Sequence, residues 1–120
     1  MKKLALIAAV LLLAPGVAAA ADLTGAWTIS TNVNDMPFTI VCNLTQTGAA
    51  LGGTCGVKDA PDKPSVLTGA VDGDNAKWAY DVTFQDMPLH IAFAGVAKDA
   101  AMTGTITVLD MPSPFTAVKQ

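Results

Sequence analysis

Apolar and polar residues alternate with a period of two along the chain from Leu23 onwards, without a useful stretch of helical period. Turn-forming Gly, Asp, Asn and Pro interrupt the alternation at intervals of about 8–12 residues, which is typical of an all-β sandwich or barrel. The pattern predicts eight strands, at 24–33, 38–47, 50–57, 66–72, 77–85, 89–97, 102–109 and 115–119. Only the connection at 58–65 is long. Short connections make neighbouring strands antiparallel.

The alternation also divides the strand residues between two faces. One face carries every aromatic residue, whereas Thr, Ala, Asn, Lys and Asp dominate the other. An apolar face must be buried, and no helix is predicted after the first twenty or so residues to cover it. Eight sequential strands of similar length favour an eight-stranded antiparallel up-and-down meander closed into a barrel. Glycines that recur on the inward face, as in Leu67-Thr68-Gly69, favour the sharp coiling that closure needs.

The first 21 residues have the features of a Sec-type signal peptide. Lys2 and Lys3 precede an apolar run of about ten residues, and small residues follow at 18–21. The run is shorter than the roughly 20 residues that span a bilayer as a helix. We therefore expect a signal peptide at 1–21, a β-barrel domain at 22–120, and a periplasmic or secreted product with no membrane span after cleavage.

The charge of the domain narrows the classes of partner that it can bind. All ten acidic residues are Asp, and the chain contains no Arg. Loss of Lys2 and Lys3 with the signal peptide leaves five lysines against ten aspartates. A domain of this charge lacks the basic surface that nucleic acids or anionic lipid headgroups attract. No nucleic-acid partner is expected.

Cys42 and Cys55 are the two cysteines of the chain, and an oxidising compartment favours a disulfide between them. If Gly48 and Ala49 form the hairpin tip, the two cysteines lie directly opposite each other on neighbouring strands. Opposed positions on one face bring the Cβ atoms within bridging distance. The sequence therefore predicts a cross-strand disulfide.

The segment Gly25-Ala26-Trp27 resembles the calycin barrels, which include the lipocalins and the avidin-like proteins. Those barrels carry Gly-x-Trp on the first strand, with a basic residue of the last strand over the indole. Lys119 matches that position. The resemblance implies structural roles for Gly25, Trp27 and Lys119, and a barrel that holds an apolar ligand at one open end. The polar residues with which avidins hold biotin have no match, so biotin binding is not implied.

The motif Asp-Met-Pro occurs three times, at 35–37, 86–88 and 110–112, each time between two predicted strands. In an eight-stranded meander these junctions lie at the same end of the barrel. Three interpretations remain open. In the first, Asp and Pro only form the turns, and Met is a flexible side chain that plugs the end of the barrel. In the second, the methionines form an adaptable rim that binds a hydrophobic ligand or a partner peptide. In the third, the three thioethers form a site for Cu(I).

The leading functional hypothesis is a non-enzymatic exported barrel that binds a small hydrophobic ligand at this mouth. Its expected contacts are Met36, Met87, Met111, Trp78, Tyr80 and Phe84. The alternative is a structural or protein-interaction module with a filled core, and the third hypothesis is a periplasmic copper-handling protein. No catalytic residue, metal ligand or cofactor is assigned, since the single histidine, His90, is expected on the outside and no serine lies in a nucleophile elbow.

A small apolar patch is also expected on the outer face of the barrel. It favours the hypothesis of a homo-oligomer and comprises Ala70, Ala79, Ala92, Ala94 and Val96.

Overall fold

The computed structural model describes residues 22–58 and 63–120, so the predicted signal peptide lies outside the described residues. All regular structure in these ranges is β-strand. The strands are β1 Gly25–Val33, β2 Met36–Thr47, β3 Ala50–Val57, β4 Ser65–Val66, β5 Thr68–Asp72, β6 Asn75–Phe84, β7 Met87–Lys98, β8 Ala101–Val108 and β9 Met111–Lys119. Across the described part of the chain, no helix has the length and apolar character needed to cross a membrane.

The sheet closes on itself. Every pairing is antiparallel between neighbours, and β1 pairs with both β2 and β9. The short segments β4 and β5 both pair with β3 and together act as one strand. The domain is therefore the eight-stranded up-and-down barrel that the alternation predicts.

Large side chains fill the interior of the barrel. The indole of Trp78 stacks on Phe93 with ring centroids 4.8 Å apart, and Phe115 packs edge-on against both rings. Stacked and edge-on aromatic pairs add about 0.5–1.5 kcal/mol each to their burial. Aliphatic side chains complete the core, among them Leu23, Ile29, Leu44, Leu67, Met102 and Ile106.

The predicted disulfide is present between β2 and β3. Cys42 and Cys55 are register partners with Cα atoms 4.0 Å apart, and both side chains are buried. The register around them also matches the prediction, because Leu44 faces Gly53 across the same hairpin. A native disulfide indicates a non-reducing environment.

Two glycines show why the interior face includes residues without a side chain. A Cβ added at Gly104 would overlap the backbone carbonyl of Ala94, and one added at Gly69 would overlap that of Lys77. Both glycines therefore let adjacent strands approach more closely than any side chain permits.

Only the Asp of each Asp-Met-Pro motif lies in a turn, whereas the sequence suggests that the whole motif does. Each turn has two residues, Asn34–Asp35, Gln85–Asp86 or Leu109–Asp110, and both have positive φ. This is the pattern of type I′ hairpins, whose twist matches that of the flanking strands. Met and Pro already belong to the following strand, so the last strand begins at Met111 and not at Phe115.

The barrel consists of two similar halves, a feature absent from the sequence predictions. Strands β2 and β7 have the same length and begin 51 positions apart, and the same holds for β3 and β8. Two of the tight turns also repeat at this spacing, Asn34–Asp35 with Gln85–Asp86 and Gly48 with Asp99. Identical residues at this spacing include Trp27/Trp78, Asp35/Asp86, Met36/Met87, Pro37/Pro88, Ile40/Ile91, Gly53/Gly104, Thr54/Thr105 and Val57/Val108.

Candidate functional site at the Asp-Met-Pro end of the barrel

Three hairpin turns lie at one end of the barrel, together with Lys58 after β3 and Lys63 before β4, and we call it the Asp-Met-Pro end. In each turn the methionine closes the hairpin, opposite Val33, Phe84 or Val108. All three methionines follow the inward alternation of their strands, so they surround the mouth of the barrel.

Exposed apolar side chains concentrate at this end. Every exposed Met, Phe and Leu of the described residues lies there: Met36, Phe38, Phe84, Met87, Leu109 and Met111. The aspartates of the three turns, Asp35, Asp86 and Asp110, are exposed among them. The rim thus combines apolar contact area with negative charge.

The six predicted ligand contacts do not line one pocket. Trp78 and Tyr80 are buried in the packed core, whereas the three methionines lie on the rim. Phe84 has the predicted inward phase, but it is the last residue of β6 and its side chain is 61% exposed. The alternation gives the direction of a side chain and not its depth in the barrel.

Tyr80 belongs to the aromatic core. Its ring lies 6.0 Å from that of Phe93 in a near-parallel arrangement. Burial raises the pKa of the Tyr80 hydroxyl to about 12, because the apolar surroundings disfavour the phenolate.

A cleft of about 220 Å³ opens at the mouth between the end of β1 and the beginning of β9. Ile106 and Val108 of β8 supply its apolar floor. Its other lining residues are Val33, Asn34, Met111, Pro112 and Ser113. The cleft lies beside two of the turns, next to Asp35 and Asp110.

The cleft exists because β1 and β9 separate near the mouth. Their pairing stops at Thr31 and Phe115, and continuation would place Asn32 opposite Pro114. The Thr31 hydroxyl donates a 2.9 Å hydrogen bond to the Pro114 carbonyl, so this carbonyl points towards β1. The nitrogen of a strand residue points to the same side as its carbonyl, and the Pro114 nitrogen has no hydrogen to donate to β1. Alternation turns Pro112 to the same side, and the ladder cannot continue.

The opposite end holds the residues of the calycin resemblance. Trp27 is fully buried and faces Lys119 across the β1–β9 pair. Its indole N–H donates a 2.9 Å hydrogen bond to the Leu23 carbonyl. The Lys119 side chain passes over Gly25, where an added Cβ would lie 2.9 Å from Lys119 Cε, and its ammonium donates to the Asp22 carbonyl.

His90 lies outside the barrel, as predicted. Its ring Nδ1 is 2.8 Å from an Asp81 carboxylate oxygen, and both side chains are well exposed. An exposed pair of this kind contributes little to stability. No group of three or more His, Cys, Asp or Glu side chains in the described ranges is placed to hold a metal ion.

The predicted outer patch forms part of a wide, open groove of about 550 Å³ across β5 to β8. Ala70, Ala79, Ala92 and Ala94 line it together with Lys77, whereas Val96, the fifth residue of the predicted patch, does not. The groove is shallow and its lining is mainly methyl groups and backbone, so it offers few specific contacts.

Comparison with protein-family models, with curated proteins and with solved structures gives no match to this chain. The closed eight-stranded antiparallel barrel fits the calycin architecture in general terms.

Proposed function

We propose that this protein is an exported binding module that engages a protein partner through the Asp-Met-Pro end of its barrel. The observation that carries the proposal is the location of the exposed Met, Phe and Leu side chains, all of which lie at that end among the described residues. Exposed apolar groups gathered in one place are typical of interaction surfaces, and Met and Phe are enriched at protein interfaces.

Backbone strain at Leu109 supports the same proposal. Leu109 is the first residue of a type I′ turn with φ 53°, a conformation in which Asn or Gly is usual. Its side chain is also 58% exposed. Neither the strain nor the exposure benefits folding, and strain retained on a surface favours a functional role.

The small-ligand hypothesis has weaker support. Pockets for small molecules usually measure about 300–1,000 Å³. The aromatic rings of Trp78, Phe93 and Phe115 fill the interior, and the mouth cleft offers about 220 Å³. A cleft of this size suits a single side chain of a partner better than a lipid or a cofactor.

Site-specific photo-cross-linking in the producing cell tests the proposal. We expect a photoreactive amino acid at Leu109 to yield a discrete adduct with another protein. The same group at Val96, which is exposed near the other end of the barrel, should yield none. Adducts at Val96 without any at Leu109 would contradict the proposal. Retention of a small apolar molecule by the purified native protein, detected by native mass spectrometry, would favour the small-ligand hypothesis.

A further inference from the structure

We infer that the mouth cleft between β1 and β9 holds one large apolar side chain of an extended partner segment, and that basic residues flank this side chain. The inference rests on the proposed function and names the chemistry of its partner. It follows from the size of the cleft, its lining, its one free backbone carbonyl and the charge beside it.

The size of the cleft limits the size of the apolar side chain that it holds, which we call the anchor. An engineered cavity of about 150 Å³ is enough to bind benzene. The cleft of about 220 Å³ therefore accommodates one phenyl ring or branched aliphatic side chain, but not a chain of several residues. Ile106 is buried and Val108 half-buried, so they offer apolar contact to whatever enters.

The edge of β9 offers one free backbone acceptor to an extended segment of the partner. Because β1 pairs with β9 only from Phe115 onwards, the residues Met111 to Pro114 pair with β8 alone. The Pro114 carbonyl accepts from Thr31, and the Pro112 carbonyl faces the same side by alternation. A partner backbone N–H beside the anchor is the natural donor to that carbonyl. Pro112 and Pro114 have no N–H to donate in return, so this contact is a single hydrogen bond and not a strand ladder.

The negative charge beside the cleft favours basic residues on both sides of the anchor in the partner. Asp35 and Asp110 follow or precede lining residues on the two sides of the opening. Lys58 and Lys63, the described lysines of this end, belong to the β3–β4 connection, and β3 pairs with neither β1 nor β9. Electrostatic complementarity therefore favours a partner with Lys or Arg beside the anchor, and it disfavours a second copy of this acidic chain.

The test uses the folded protein and three blocked pentapeptides. These are Lys-Lys-Phe-Lys-Lys, Lys-Lys-Ala-Lys-Lys and Glu-Glu-Phe-Glu-Glu, titrated at low salt by calorimetry or NMR. We expect saturable binding of the first peptide, and binding about tenfold weaker or absent for the other two. Equal binding of the acidic peptide, or of toluene in place of any peptide, would overturn the inference.

Variants then locate the site. Ser113→Phe places a ring in the cleft and should abolish binding, whereas Asp110→Asn should weaken it about threefold. Asp86→Asn is the matched control, because Asp86 holds the same turn position on a hairpin that does not line the cleft. Equal losses in the Asp86 and Asp110 variants would overturn the inference, as would a concentration-dependent dimer that Ser113→Phe disrupts.

The two proposals fail separately. If Ser113→Phe binds the peptide normally and cross-linking at Leu109 still succeeds, the cleft inference fails and the proposed function stands. If cross-linking at Leu109 fails and the peptides do not bind, both fail.

Discussion

Trp27 and Trp78 occupy equivalent positions in the two halves of the barrel and differ by one hydrogen bond. The Trp27 indole N–H donates to the carbonyl of Leu23, whereas the buried Trp78 indole N–H has no partner among the described residues. The residue equivalent to Leu23 is Asp74, and its carbonyl accepts a 2.8 Å hydrogen bond from the Ala97 N–H. The carbonyl at the position equivalent to Leu23 therefore accepts from a backbone N–H and not from the indole of Trp78.

This difference predicts unequal effects of the same substitution. Trp27→Phe leaves the Leu23 carbonyl without its donor, whereas Trp78→Phe removes a donor that lacks a partner. Since both variants lose similar apolar area, we expect Trp27→Phe to cost about 1–3 kcal/mol more than Trp78→Phe. Urea unfolding of the two variants measures the difference, and equal losses would show that the hydrogen bond does not contribute.

Gly104 should tolerate no side chain. Its added Cβ overlaps the Ala94 carbonyl, so Gly104→Ala must push β7 and β8 apart. We expect a loss of about 3 kcal/mol or more in the free energy of unfolding. Gly52→Ala is the matched control, because an added Cβ there meets nothing within 4 Å, and its effect should stay within about 1 kcal/mol. Similar losses in both variants would contradict the close approach of the two strands.

Tyr80 makes stability fall at alkaline pH. The unfolded chain ionises near the ordinary tyrosine pKa of 10.0, whereas the folded state resists ionisation up to about 12. The stabilisation is complete below pH 10 and is lost as the pH rises towards 12, by about 2–3 kcal/mol. Urea unfolding across this window should show the fall, with Tyr80→Phe as the reference that cancels other alkaline effects. The chain has a single tyrosine, so tyrosinate absorbance reports this pKa directly. A midpoint near 10 would show that the ring is solvated.

Two substitutions of Leu109 should affect the stability of the fold differently while both weaken binding of the partner. Leu109→Asn places a residue suited to positive φ in the turn, so we expect a gain of about 1 kcal/mol in stability. We also expect weaker photo-cross-linking to the partner from a photoreactive amino acid placed at the exposed rim residue Phe84. Leu109→Ala keeps the strained backbone and removes the apolar side chain, so it should lose binding without the gain in stability. Full binding in both variants would remove Leu109 from the proposed surface.

The strands and the disulfide were predictable because their signals are local. The period of two gives the face of each residue, and one hairpin turn at Gly48 fixes the register that pairs Cys42 with Cys55. The exposure of Phe84 was not predictable, because it depends on how far the strand extends beyond the packed core. The cleft depends on the contact between the first and last strands, where Pro114 meets β1, and no local pattern reports it. The spacing of 51 between Trp27 and Trp78 could have revealed the two halves from the sequence.

Methyl NMR of the methionines tests the binding surface most directly. With ¹³C-methyl methionine, the residues that the structure describes give four methyl signals, from Met36, Met87, Met102 and Met111. During titration with the Lys-Lys-Phe-Lys-Lys peptide, we predict a saturable shift of the Met111 signal, which lines the cleft. Met102, buried in the core and 2% exposed, should stay unchanged. A Met111 signal that does not move while the peptide binds, or equal shifts of all four signals, would contradict binding at the Asp-Met-Pro end.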